Sequence, residues 1–118
     1  MLENVRIGDR EVALCANAAT PVRYRQVFGK NILKYLIGEA AAEEQTAMLP
    51  ELAYIMARSA EKADMNRLSI DDYIEWLEDF GAMDFVNQQT ASDIMRVYQN
   101  QKLPDSVSKK KKGQSTGR

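Results

Sequence analysis

The sequence predicts a mainly α-helical single domain of four to five helices, opened by a small N-terminal β-hairpin and closed by a disordered basic C-terminal tail. Three observations carry that expectation. Apolar residues recur at i, i+3, i+4 and i+7 over most of residues 20–101. Val5 and Ile7, then Val12 and Leu14, recur at every second residue within residues 4–14. Residues 102–118 hold two glycines, a proline, four serines or threonines and a lysine run, a composition that cannot bury enough apolar surface to order itself.

Taken in order, Asn4–Ile7 and Glu11–Leu14 bracket Gly8-Asp9-Arg10, a short turn, with Val5, Ile7, Val12 and Leu14 alternating with polar neighbours. A two-stranded hairpin is marginal alone, so its apolar side is expected to lie on helices. Thr20-Pro21 supplies an N-cap and an N1 proline for the first helix. Tyr24, Val27 and Phe28 form its apolar side. The helix is expected to pause at Gly29, resume through Ile32, Leu33, Leu36 and Ile37, and stop at Gly38. The segment from Glu39 to Thr46 is acidic and alanine-rich, compatible with a helical extension or a connector. Thr46 to Pro50 offers a start for a third helix running to about Asp64. Its buried stripe would be Leu52, Ile55, Met56, Ser59, Ala60 and Ala63. Ser69 then caps a fourth helix with Asp71 and Asp72 in its first turn, where the helix dipole favours negative charge. Its apolar face is Ile70, Tyr73, Ile74 and Leu77, widened by Trp76 and Phe80, with Gly81 as its end. A last helix, about Met83 to Gln101, buries Met83, Val86, Thr90, Ile94, Val97 and Tyr98. The domain therefore covers residues 1–101 and the Lys-rich tail residues 102–118.

Composition limits function further. Apolar residues make up 45% and charged residues 28% of 118 residues, as in ordinary globular domains. No apolar run approaches the roughly 18 to 20 residues of a membrane span, and the N-terminus lacks the apolar core of a secretory signal. No membrane partner is expected. The absence of histidine removes the usual imidazole base and the commonest metal ligand. With a single cysteine, Cys15, neither an internal disulfide nor a structural zinc site can form. Carboxylates alone could still hold magnesium or calcium, but no EF-hand spacing appears. The expectation is a non-enzyme with no cofactor, no metal and no catalytic residue.

Charge is unevenly placed. From Lys102 onward six basic residues face one acid, Asp105, which leaves the body at about −6 within a net charge of −1. Arg23, Arg25, Lys30 and Lys34 sit in a stretch without acids, whereas Glu61 to Asp84 holds eight acids against Lys62 and Arg67. Such blocks either meet inside the fold or meet between copies. The basic stretch, with Tyr24 and Tyr35 interleaved, could bind nucleic acid. Solvated charges, or pairing with Asp71 to Asp84, are the preferred reading. Asp71, Asp72, Glu75, Glu78 and Asp79 read as a solvated acidic helix face rather than as a cation site.

Three segments together resemble a family: AATPVRYRQVFGKNIL, ELAYIMARSAEKADM and SIDDYIEWLEDF are similar to the tail assembly chaperones of long-tailed phages and prophages of Gram-positive bacteria. In that family a short β element precedes a "T-P-x-x-Y-R-x-x-F-G-x-D" helix. Here Thr20, Pro21, Tyr24, Arg25, Phe28, Gly29 and Lys30 hold those places, and Asn31 departs from the usual acid. A "Y-I-M-A" segment follows at Tyr54 to Ala57, then a "W-L-x-x-F" helix at Trp76, Leu77 and Phe80. The likeness spans roughly residues 4–101, and it rests on order and spacing rather than on any one motif.

The resemblance implies a protein that binds and solubilises the tape measure protein in the host bacterial cytoplasm. It would help recruit tail tube subunits and be left out of the mature virion. It also implies partners: the tape measure protein, the tail tube protein, a homo-oligomer, and a frameshifted, extended form of the chain itself, for which Lys109 to Lys112 would supply adenine-rich codons. The protein-binding residues it points to are Tyr24, Arg25, Phe28, Tyr73, Trp76, Leu77 and Phe80, although aromatic residues in a small domain are usually core. The rival reading is a small nucleic-acid-binding phage regulator using the basic first helix and the lysine tail.

Overall fold

The computed structural model describes residues 2–36, 38, 42–62 and 65–99. Within them are five helices and one two-stranded antiparallel hairpin. The expected disordered tail, residues 102–118, lies outside the described residues, as do Ile37, Ala63 and Asp64.

The hairpin pairs β1 (Leu2–Ile7) with β2 (Arg10–Cys15), in a register running from Leu2 opposite Cys15 to Ile7 opposite Arg10. Arg10 belongs to the strand, not the turn, which is the two-residue Gly8-Asp9. Gly8 sits at φ 67, the left-handed position that the first residue of a tight hairpin turn requires. Cross-strand pairing puts Val5, Ile7, Val12 and Leu14 on one face. Val5, Ile7 and Leu14 are fully buried there, and Val12 is partly so.

The first helix, α1, spans Thr20–Phe28. Thr20 is its first residue rather than its cap. Ala19 holds the cap position without a side-chain bond, and Asn17 ties the turn instead. The Asn17 Oδ1 accepts the Ala19 N–H at 2.8 Å, and the Asn17 N–H donates to Thr20 Oγ1 at 2.9 Å. Thr20 can therefore point inward, fully buried, with its hydroxyl satisfied. Gly29, at φ 69, ends α1 by donating its N–H to the Arg25 carbonyl, and the chain resumes as α2, Leu33–Leu36.

The long helix α3 spans Ala42–Ala60 and corrects three expectations. Thr46 to Pro50 is helix interior, not a start: the alanine- and glutamate-rich segment before it is a strong helix former and carries the helix through. Pro50, without an N–H, removes one helical hydrogen bond there. The buried surface is not one stripe either. Leu52, Ala53, Tyr54, Ile55, Met56 and Ala57 are all at most 1% exposed. A helix covered on every side is a core element. The hairpin, α1, α2 and two later helices cover it. Ser59 and Ala60 are half-buried, and the helix stops at Ala60, short of Asp64, with Lys62 in the left-handed region at φ 56.

Helix α4 spans Ile70–Leu77, capped by Ser69, whose side chain accepts the Asp72 N–H at 3.0 Å. It ends at Leu77, four residues before Gly81, because the chain tightens into shorter turns through Phe80. Its inward face is Tyr73, Trp76 and Leu77, continued by Phe80; Ile70 and Ile74, expected inside, are 46% and 50% exposed. It packs on α3 and meets α1 through Tyr73 and Phe28, and its rotation sends the aromatic residues inward. Helix α5 spans Gln88–Gln99, starting after Asn87, whose Oδ1 accepts the N–H groups of Gln89 and Thr90. That cap leaves Met83 and Val86 in the preceding turns, 70% and 54% exposed, and Phe85 fills the core in their place. Thr90, Ile94, Val97 and Tyr98 are buried, as the spacing requires. The helix lies along β1, with Thr90 Oγ1 donating to the Arg6 carbonyl and Arg96 holding Glu3 at 2.8 Å.

The turn at Gly8 abuts the loop after α4. A Cβ there would collide with the Asp84 carboxylate, and φ is already unfavourable for an L side chain. Gly8→Ala should therefore lower stability by about 1–2 kcal/mol in urea denaturation. Asp84→Ala in that background should recover only part of the loss, because the backbone strain remains.

Candidate protein-binding surface

The aromatic residues singled out in the sequence meet, but mostly with one another. Tyr24 stacks on Phe28 with centroids 5.2 Å apart, and Phe28 meets Tyr73 edge-on at 5.0 Å. Tyr73 meets Tyr54 at 5.3 Å, Tyr54 meets Trp76 at 5.8 Å, and Trp76 meets Phe80 at 4.8 Å. Phe85 closes the series at 5.4 Å from Phe80. This continuous chain of rings joins α1, α3, α4 and the loop after α4. Tyr24 and Trp76 are core residues, at 0% and 7% exposure, and Phe28 and Tyr73 are half-buried within the stack. Arg25 is exposed on the outer side of α1.

Polar ties fix the aromatic ends. The Tyr24 hydroxyl donates to Glu51 at 2.7 Å, and Lys30 pairs with the same carboxylate at 3.1 Å. The Tyr54 hydroxyl donates to Asp72 at 2.6 Å. Arg58 grips Asp72 with two parallel bonds of 3.1 Å and also reaches Glu61. Burial, then the hydrogen bond to an acid, raises the pKa of both tyrosines, so they stay neutral donors. Burial alone would raise the Asp72 pKa. The bonds from Tyr54 and Arg58 outweigh it and hold the carboxyl below its ordinary value.

Leu77 and Phe80 have a second role. They form one wall of an open groove of about 320 Å³, completed by Ala47 and Pro50 of α3 and by Ala82, Phe85 and Val86 of the following loop. Its lining is almost entirely apolar. The sequence reading missed Ala47, Pro50, Phe85 and Val86. The signal that could have found them is Asn87, an Asx cap that detaches residues 82–86 from the last helix. A second cleft, of about 580 Å³, runs beside α4 and is lined by Asp71, Asp72, Glu75 and Glu78, by Arg58 and Arg67, and by Leu68, Ser69 and Ile74. Between β2 and α4, Arg10 lies over the Phe80 ring, 5.2 Å from its centroid.

Among the described residues the two charge blocks do not pair with each other. Lys30 is neutralised by Glu51, and Asp72 and Glu61 by Arg58. Arg23, Arg25 and Lys34 form no ion pair among the described residues. Nor is any group of three or more Asp, Glu or Cys side chains among these residues arranged to hold a metal ion, and no helix among them is long and apolar enough to cross a membrane. Comparison with family models, with curated proteins and with solved structures gives no match for this chain.

Because the folded pKa of Asp72 is depressed, its contribution to stability is complete above the unfolded-state value of about 3.9 and is lost as pH falls through the folded value. Asp72→Asn should cost about 1–3 kcal/mol at pH 7, measured by urea denaturation with the fluorescence of the single Trp76 as probe. The gap between the two proteins should shrink at pH 3. A gap of equal size at both pH values would refute this role for Asp72.

Proposed function

We propose that this chain is a tail assembly chaperone of a long-tailed phage or prophage. It holds the tape measure protein soluble in the host cytoplasm and brings tail tube subunits to it. Two lines support the reading. One is the resemblance in the order and spacing of the segments at Thr20–Gly29, Tyr54–Ala57 and Trp76–Phe80. The other, which carries it on the physical side, is the open apolar groove formed by Leu77, Phe80, Phe85 and Val86 against Ala47 and Pro50.

The groove's volume lies at the lower end of ordinary ligand pockets, about 300–1,000 Å³, and it is open along its length. It offers no charged group to orient a small polar molecule. An amphipathic helix laid across it would place apolar side chains at i, i+3 and i+4 against Phe80 and Phe85. Covering such side chains removes apolar surface from water at roughly 25 cal/mol per Å², and it leaves the client less able to aggregate. The rigid aromatic stack behind Phe80 keeps the wall in place, so little ordering cost opposes binding.

Co-expression tests this. The tape measure protein encoded beside this chain should be soluble in its presence and aggregated in its absence. Val86→Asp, at a half-exposed position, should leave the melting temperature nearly unchanged and abolish the rescue. Equal solubility of the tape measure protein with and without the chain would overturn the reading.

A further inference from the structure

The turn before α1 and the end of α3 enclose a small cavity of about 220 Å³. Asn17, Ala19 and Arg23 line it from the α1 side, and Ser59 and Lys62 from the α3 side. Two of these five residues are cations and none is an acid. Neither Arg23 nor Lys62 is in an ion pair among the described residues. Like charges sharing one cavity repel, so the pair costs stability unless an anion lies between them. Asn17 adds a further donor. Its Oδ1 accepts the Ala19 N–H at 2.8 Å, and its amide nitrogen makes no hydrogen bond among the described residues. Ser59 donates its hydroxyl to the Ile55 carbonyl at 3.0 Å and brings no charge.

The backbone holds Lys62 in place at a cost. At φ 56 it is the one non-glycine residue with positive φ among the described residues, in the left-handed position where glycine commonly ends a helix. Its N–H closes the end of α3 on the Ser59 carbonyl at 3.1 Å. A glycine would make that turn with less strain and would leave the cavity with one cation instead of two.

We propose that this cavity binds a phosphate group, as inorganic phosphate or as the end of a small phosphate monoester. A phosphate dianion matches both cations in charge. Its oxygens can take the guanidinium fork, the ammonium and the Asn17 amide together. A carboxylate, with one charge and two oxygens, leaves part of this set unmatched. A nucleic-acid strand needs a row of cations along its backbone. Arg25 does not extend the pair, because two residues beyond Arg23 it lies about 200° around the helix. The client reading plays no part here, since it uses the groove beside Phe80.

Titration of the full chain with inorganic phosphate tests this, read by amide NMR shifts and melting temperature against sodium chloride at equal ionic strength. Phosphate should bind at about 1 mM or tighter and move the amide signals of Ala19, Arg23, Ser59 and Lys62. It should also raise the melting temperature by mass action, and chloride should do neither. Arg23→Gln and Lys62→Gln should each weaken binding by about tenfold or more with an unchanged circular dichroism spectrum, whereas Lys34→Gln should not. Lys62→Gly separates binding from a structural role: the free chain should melt higher while phosphate affinity still falls about tenfold. Tighter binding of phenyl phosphate than of inorganic phosphate would assign the site to an ester, and the reverse to the free ion. Shifts that chloride reproduces, variants that bind like the wild type, or an equal loss in Lys34→Gln would each overturn the proposal. So would a short single-stranded oligonucleotide that binds more tightly than phosphate and is weakened by Lys34→Gln, which would assign the cations to nucleic acid.

Discussion

Complete burial of six consecutive residues, Leu52 to Ala57, dictates how everything else is arranged. Successive helical residues point about 100° apart, so a run with no exposed member must be covered from every direction. In a domain this small only several short elements converging on one helix can achieve that. The hairpin, α1, α2, α4 and α5 all pack on α3. None is long enough to have a core of its own, and the hairpin in particular would be marginal alone. Loss of the α3 core would therefore remove the common support of every other element at once.

Aromatic residues convert that arrangement into a rigid frame. The ring chain from Tyr24 to Phe85 crosses from α1 through α3 and α4 to the loop preceding α5. Edge-on and tilted contacts of this kind add about 0.5–1.5 kcal/mol each beyond area burial. The hydroxyls of Tyr24 and Tyr54 are satisfied by Glu51 and Asp72, so neither of these two buried donors is left unpaired. The same frame ends at Phe80 and Phe85, the wall of the apolar groove. Core and surface are thus continuous, and the groove inherits its shape from the packing behind it.

Charge follows a different logic. Lys30, Arg58 and Arg96 are used up in ties that hold α1 and α4 to α3, and α5 to β1. Arg23, Arg25 and Lys34 form no ion pair among the described residues. Internal ion pairs at this level of exposure contribute modestly, so their main effect is to fix orientation. This division between paired and unpaired charge was invisible in a count of net charge near zero.

Much was legible in the chain before its fold was seen. Period-two alternation fixed the hairpin and its buried face. Thr20 with Pro21, Gly29 and Ser69 placed helix boundaries to within a residue, because such ends are set by local backbone geometry, although of the three only Ser69 caps through its side chain. The spacing of Thr90, Ile94, Val97 and Tyr98 identified their buried face. Local signals stopped where several elements compete for one surface. Periodicity alone could not tell that α3 is enclosed on all sides or carries through Pro50. Nor could it tell that α4 turns Trp76 and Phe80 inward while leaving Ile70 and Ile74 in water. Those choices depend on which neighbours arrive and from which direction. Sequence determined the elements and the lack of imidazole chemistry; tertiary packing decided which apolar residues became core and which remained as surface, since burial belongs to the assembled neighbours and not to the residue.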